Sequence, residues 1–158
     1  MHRIALAAAL ILAALPAAAQ DGHDHLAETQ GLRILHAWTP ATAGPEALIY
    51  MEIENGSDQA LTLSGAQTED GQTARLVGFA YAGGVETWQP MPDMPIAAGQ
   101  HLDLVPRGLA LQLSDLPAPL TQGQALQIEV MFGEIHLDVA VEVEAASASA
   151  HSHAGHSH

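Results

Sequence analysis

The chain has 158 residues, with 4 basic side chains against 18 acidic ones, no cysteine and a formal net charge of −14. So acidic a surface repels phosphate backbones and anionic headgroups, which excludes nucleic acid and membrane-surface partners. The missing thiols exclude disulfides, thiolate metal ligands and a lipid-bearing cysteine, while the acid excess suits cations and basic partners or serves solubility alone.

In chain order, residues 1–19 read as a secretory signal peptide. Arg3 supplies a positive start, residues 4–15 an apolar run too short to span a bilayer, and Ala17, Ala18 and Ala19 a small-residue cleavage site before Gln20. Cleavage near Ala19/Gln20 is expected to release a periplasmic protein with no membrane insertion after that step. Residues 20–31 form a leader carrying His23 and His25.

The remaining chain is a series of strand patterns. Residues 134–144 alternate strictly, with Ile135, Leu137, Val139, Val141 and Val143 on one face and Glu134, His136, Asp138, Glu142 and Glu144 on the other. Residues 125–132 do the same, with Leu126, Ile128, Val130 and Phe132 inward. Residues 47–54 make a third strand, closed by the turn sequence at Asn55 and Gly56. Asn55, Gly56 and Ser57 also match a glycosylation acceptor, but Asn-Gly is first a turn signal. Shorter strands are predicted at 33–38, 60–64, 74–81, 85–89, 101–105 and 109–113, with Gly- and Pro-rich turns between them. Many short strands and no helical period predict an all-β antiparallel sandwich or barrel over residues 32–143. Residues 144–158 hold nothing a core could use and are expected to be a flexible tail. That tail carries His151, His153, His156 and His158 separated by Ser, Ala and Gly, so 6 of the 10 histidines sit in the two ends. Imidazole is the commonest protein ligand for copper, zinc and nickel, and such spacers suit a chelating segment.

A family resemblance rests on short motifs in order: Ala37-Trp38, Tyr50 followed by Asn55, Pro95 to Gly99, Pro106 to Leu109, then Leu116, Pro119, Leu120 and Gly123 before a final strand pair. Together they resemble the PCuAC family of periplasmic copper(I) chaperones over residues 32–143. The resemblance implies a cupredoxin-like Greek-key β-barrel and the delivery of copper to exported copper enzymes, notably the copper centre of respiratory oxidases. It also implies a His/Met copper(I) site, and here the chain departs from the family. The matching positions are Val77 and Phe79, Glu86 and Trp88, and Ala110 and Gln112. No His or Met lies between Met51 and Met91 or between His101 and Met131. Copper(I) is soft and wants thioether or imidazole, so these residues cannot hold it.

Substitute ligands are then sought among the remaining side chains. Met91 and Met94 could present two thioethers from one loop near His101, although methionine more often fills gaps. His101 shares a strand face with Asp103 and reads as solvated. His36 precedes Trp38 by two and is expected on its face, packed or at a rim. The ends, His23, His25, His151, His153, His156 and His158, form the best set, with modest affinity because ordering a flexible segment costs entropy.

No His-Glu-x-x-His, nucleophile elbow, phosphate loop or cysteine nucleophile is present, so no enzyme is expected. The expected function is a periplasmic copper-binding, chaperone-like protein that delivers or buffers copper, held by its histidine-rich ends, with zinc also possible as the ion. Its partners would be the metal ion and a copper enzyme or oxidase assembly factor. Two alternatives stand beside it: a β-domain without a metal site that docks a partner, and a zinc or nickel buffer.

Overall fold

Residues 26–151 are described by a computed structural model, and every regular element among them is a β-strand. In chain order these are β1 (Leu26–Thr29), β2 (Leu32–Pro40), β3 (Ala47–Asn55), β4 (Leu61–Leu63), β5 (Gly65–Thr68), β6 (Thr73–Ala82), β7 (Val85–Pro90), β8 (Met94–Ile96), β9 (His101–Leu104), β10 (Leu109–Leu113), β11 (Ala125–Phe132) and β12 (Ile135–Glu144). The sheet runs β1-β2-β12-β11-β5-β6-β10-β3-β9, and β2 also pairs with β3, which closes the path into a barrel. Strand β7 extends β6 as a hairpin, and β4 pairs with β8 in a small second sheet. The pairings are antiparallel except β12 with β2, which is parallel with Glu142 opposite Trp38 and Glu144 opposite Pro40.

The period-two segments fold as their patterns require. Leu137, Val139, Val141 and Val143 of β12 are buried, as are Ile128, Val130 and Phe132 of β11. They meet Leu32, Ile34, Ile49, Ile53, Leu111 and Leu113 in the main core. Each such aliphatic side chain contributes about 1.5–3 kcal/mol when fully buried. A second, smaller cluster holds Trp38, Tyr50, Val77 and Ala110. Its Trp38 and Tyr50 rings lie 4.9 Å apart, and burial pushes the Tyr50 phenol above its ordinary pKa.

Three strands fall where no strand is expected. The segment predicted as 60–64 folds as β4 in the small sheet, and an unexpected strand, β5, follows it directly into the barrel. Gly65 makes the break: its φ is +139°, and a Cβ there would come 2.6 Å from the Ala74 carbonyl oxygen, so only glycine passes this point. Strand β8 contains Pro95, which a two-stranded edge tolerates. Strand β1 precedes the expected start of the domain, its Leu26 to Thr29 pairing with Leu35 to Leu32 of β2. The chain also stays on the barrel after β12: Ala148 packs against the second cluster, and the His151 side chain is only 5% exposed.

Strand β2 also departs from simple alternation. Leu35 opposes Glu52 and Trp38 opposes Tyr50, so two residues, His36 and Ala37, stand against one on β3. This is a β-bulge, and His36 adopts the left-handed conformation within it (φ +50°). The inserted residue leaves His36 on the outward face that it shares with Trp38, and the two line one depression with Glu52. Trp38 is buried, whereas the His36 side chain is 44% exposed at the rim.

Asn55 ends β3 as a buried anchor and not as a glycan site. Its side-chain amide donates to the carbonyls of Gln59 (2.7 Å), Ile96 (2.9 Å) and Ala97 (3.2 Å). Its Oδ1 accepts from the Ser57 amide (3.1 Å) and hydroxyl (2.6 Å). Asn55→Ala strands several of these groups away from water and is expected to lower the free energy of unfolding by about 2–4 kcal/mol, read as a lower urea midpoint at unchanged slope.

Candidate metal centre

The six positions at which the resemblance implies copper(I) ligands lie on three adjoining strands. Val77 of β6 stands opposite Ala110 of β10, and Phe79 of β6 opposite Trp88 of β7. Val77 and Ala110 are fully buried beside Trp38 and Tyr50, with Trp88 packed against that cluster. The Phe79 and Trp88 rings meet edge to face at 5.6 Å. Glu86 is paired with Arg107 at 2.9 Å, and the Gln112 amide donates to Glu46 at 3.2 Å. An apolar plug therefore fills this region, with no soft donor among the six.

The other sequence candidates separate. Met94 packs against the main core from β8. Met91 lies over Gly78, whose missing Cβ leaves room for its sulfur. His101 is exposed, with Nε2 3.9 Å from Asp103. His136 is engaged with Glu129, whose carboxyl is held below its ordinary pKa first by a hydrogen bond from Gln67 and then by His136. His23, His25, His153, His156 and His158 lie outside the described residues.

Two of the candidates do meet, although they stand 115 positions apart in the chain. The rings of His36, on the bulge of β2, and His151, beyond β12, have centroids 5.9 Å apart and planes 31° from parallel. Two carboxylates complete the group. Glu142 and Glu144 are two residues apart on β12 and so share its outward face. His151 Nδ1 is 3.1 Å from Glu144 Oε1, and its Nε2 is 3.7 Å from Glu142 Oε2. One donor atom from each of Glu142, Glu144 and His151 lies within 4.8 Å of the others. On the far side, His36 Nδ1 is 4.0 Å from Glu52 Oε2, and His36 and Glu52 line a depression of about 240 Å³ with Trp38, Met51, Asp103 and Val105.

Sequence reasoning placed Glu142 and Glu144 on the polar face of the last strand but gave them no role. The available signal is local: two carboxylates at i and i+2 on one strand face, followed seven residues later by the first tail histidine. Residues 145–151 return to the barrel through a turn in which the Ala148 amide donates to the Ala145 carbonyl at 2.8 Å.

The family model described as "Putative lipoprotein LpqE-like" matches residues 32–151, ending on this histidine. A putative lipoprotein of Leifsonia xyli subsp. xyli (strain CTCB07) is 26% identical over 121 residues, covering 76% of this chain and 71% of the relative. Among solved structures, the copper-bound PCuAC domain from PmoF2 superposes with a TM-score of 0.63 at 18% identity, covering 77% of this chain and 98% of that domain. The apo PCuAC domain from PmoF1 gives the same score at 22% identity, covering 77% and 99%. The cupredoxin-like fold implied by the sequence motifs is thus the observed one.

With Met94 packed on the core and Met91 seated on Gly78, neither thioether is expected to serve as a ligand. Replacing both by leucine conserves volume and should cost less than about 1.5 kcal/mol at each position. Copper(I) retained against a competing chelator should be the same in the double variant and the parent. A lost equivalent would return the two methionines to the site.

Proposed function

The chain belongs to the LpqE-like family and has the fold of PCuAC domains, and from that premise we propose that it is an exported copper-handling protein that holds its cargo with imidazole. The ions are captured by the histidine-rich ends, His23 and His25 at one and His151, His153, His156 and His158 at the other. Copper is the principal cargo, and zinc is bound by the same donors. The protein works in the periplasm after signal cleavage, catalyses no reaction, and buffers copper or passes it to an exported copper enzyme or an oxidase assembly factor.

The observation that carries this reading is the meeting of His151 with His36 beside two carboxylates. The first tail histidine is part of the folded surface, so the tail is delivered to one place on the barrel. The plug at Val77, Phe79, Trp88 and Ala110 supports the same reading, since it leaves imidazole as the principal donor. Imidazole and carboxylate favour copper(II) and zinc, whereas copper(I) is better served by thioether. The acidic surface, with 18 carboxylates, raises the local concentration of any cation without choosing among them.

Removing residues 152–158 is expected to lower the number of copper(II) or zinc ions bound per chain in calorimetric titration at neutral pH. Changing His23 and His25 to alanine should lower it further by a smaller step. Because imidazole binds metal only when neutral, occupancy of the full chain should fall as pH drops below about 6.5. Equal stoichiometry in the truncated and full chains would move binding away from the ends. A preference for zinc or nickel at matched concentrations would make the protein a buffer for those ions, and no binding at all would leave the barrel as a docking module.

A further inference from the structure

We propose that His36, Glu142 and His151 form one built site for a divalent ion, copper(II) or zinc, on the outer wall of the barrel, with Glu144 orienting the His151 ring. This rests on the metal-handling reading above and deepens it: a single fixed site stands apart from the loose capacity of the ends.

Three independent parts of the fold bring the donors together. The parallel pairing of β12 with β2 sets Glu142 opposite Trp38 and Glu144 opposite Pro40, just past the bulge. The bulge turns His36 out of the core, and the left-handed backbone needed to do so is uncommon for a residue with a side chain. The segment after β12 packs Ala148 on the second cluster and sets His151 down on the two carboxylates, nearly buried.

The spacing suits a small cation. Ligand atoms about 2.0–2.2 Å from a tetrahedral ion lie roughly 3.3–3.5 Å from one another. His151 Nε2 and Glu142 Oε2 stand 3.7 Å apart, so an ion can sit between them with little adjustment. One imidazole uses a single nitrogen for an ion in this position. The other, Nδ1, is 3.1 Å from Glu144 Oε1, within reach of the carboxylate–histidine contact that fixes the tautomer of metal-bound histidine. The His36 ring, 5.9 Å away centroid to centroid, supplies the second imidazole.

Charge argues the same way. The Glu142 side chain is 27% exposed and that of Glu144 only 12%, so two carboxylates share a poorly solvated place. A cation between them offsets both their desolvation and their repulsion. A protonated His151 could do part of this, and the experiment separates proton from metal. Nitrogen and carboxylate oxygen with no sulfur select a borderline divalent ion over copper(I), inverting the preference of the thioether set that the PCuAC resemblance implies.

The test uses the chelator-stripped full chain with three histidines of the ends, His23, His156 and His158, changed to serine. One zinc or copper(II) equivalent should remain tightly bound in this background. Adding His36→Ala, Glu142→Gln or His151→Ala should each weaken it by about 100-fold or more, and Glu144→Gln by about 10- to 100-fold. Glu142→Gln keeps the shape of an outward side chain, and circular dichroism of every variant checks that the barrel has folded. Zinc should also raise the melting temperature of the background protein and leave that of Glu142→Gln unmoved at the same concentration. Affinity within threefold of the background in both His36→Ala and His151→Ala would overturn the site and make His151 an imidazolium paired with two carboxylates. Loss of all binding in the triple-serine background would overturn the site while leaving capture by the ends in place. Absence of binding by the unaltered chain would overturn both readings.

Discussion

Strand β2 is the seam on which the rest of the molecule depends. One edge bonds β3, while the other is shared, β1 taking residues 32–35 and β12 taking residues 38–40. A strand that changes neighbours along one edge must also change register, and the bulge between Leu35 and Trp38 falls at that changeover. Without the extra residue, Trp38 would lose its place against Tyr50 in the second core cluster. With it, His36 is left over, turned outward where β1 ends and β12 arrives. The first and last strands of the barrel therefore meet at the same imidazole. The bulge closes the barrel and places the candidate ligand in one step.

The same seam explains how a copper fold can keep its architecture after losing its soft donors. The six implied copper(I) positions lie on β6, β7 and β10, with Val77 and Ala110 inside the Trp38–Tyr50 cluster and Trp88 packed against it. Buried His and Met donors without an ion would be desolvated polar or poorly packed groups. Val77, Ala110, Phe79 and Trp88 remove that cost and turn the region into additional core, so the fold no longer needs metal there. The candidate ligands gather instead on the outward face of β12 and on its extension, while the inward face of β12 serves the main core. The barrel is held by apolar packing, and the candidate ligands lie on its outer wall.

Much of this was legible in the residues because it rests on local periodicity. The inward faces of β11 and β12, the Asn55 turn and the nine strand segments follow from alternation and turn chemistry, which depend on a few consecutive residues. The motif order carried the barrel topology. What escaped was long-range or set by a single backbone conformation. The split of β4 from β5 depends on how closely the Ala74 carbonyl passes Gly65, and the pairing of Pro95 on β8 depends on a partner 33 residues away, Thr62. His36 stands at the rim of the face it shares with Trp38, as its spacing suggests, but nothing in Leu35-His36-Ala37-Trp38 marks the bulge that turns both residues outward. The tail was read as detached because its composition is polar, yet residues 145–151 return to the barrel, Ala148 on the second cluster and His151 beside Glu142 and Glu144.

That return has a consequence for how the ends operate. A histidine-rich segment joined to a barrel by a free linker would sample a large volume, and each ion it bound would have to offset the entropy of ordering the chain. Here the chain from Ala145 to His151 is already laid against the wall, so that cost is met by folding for the first imidazole of the series. His153 and the histidines after it begin only two residues beyond a fixed point. At the other end, His25 precedes Leu26, which is paired with Leu35 beside the bulge. The described segments that lead into the two ends, residues 26–29 and 145–151, thus both meet the same short stretch of β2. Chain connectivity then gives the two ends a high effective concentration for one another. Imidazoles carried at the ends of a domain without thiols would gain proximity from the fold itself.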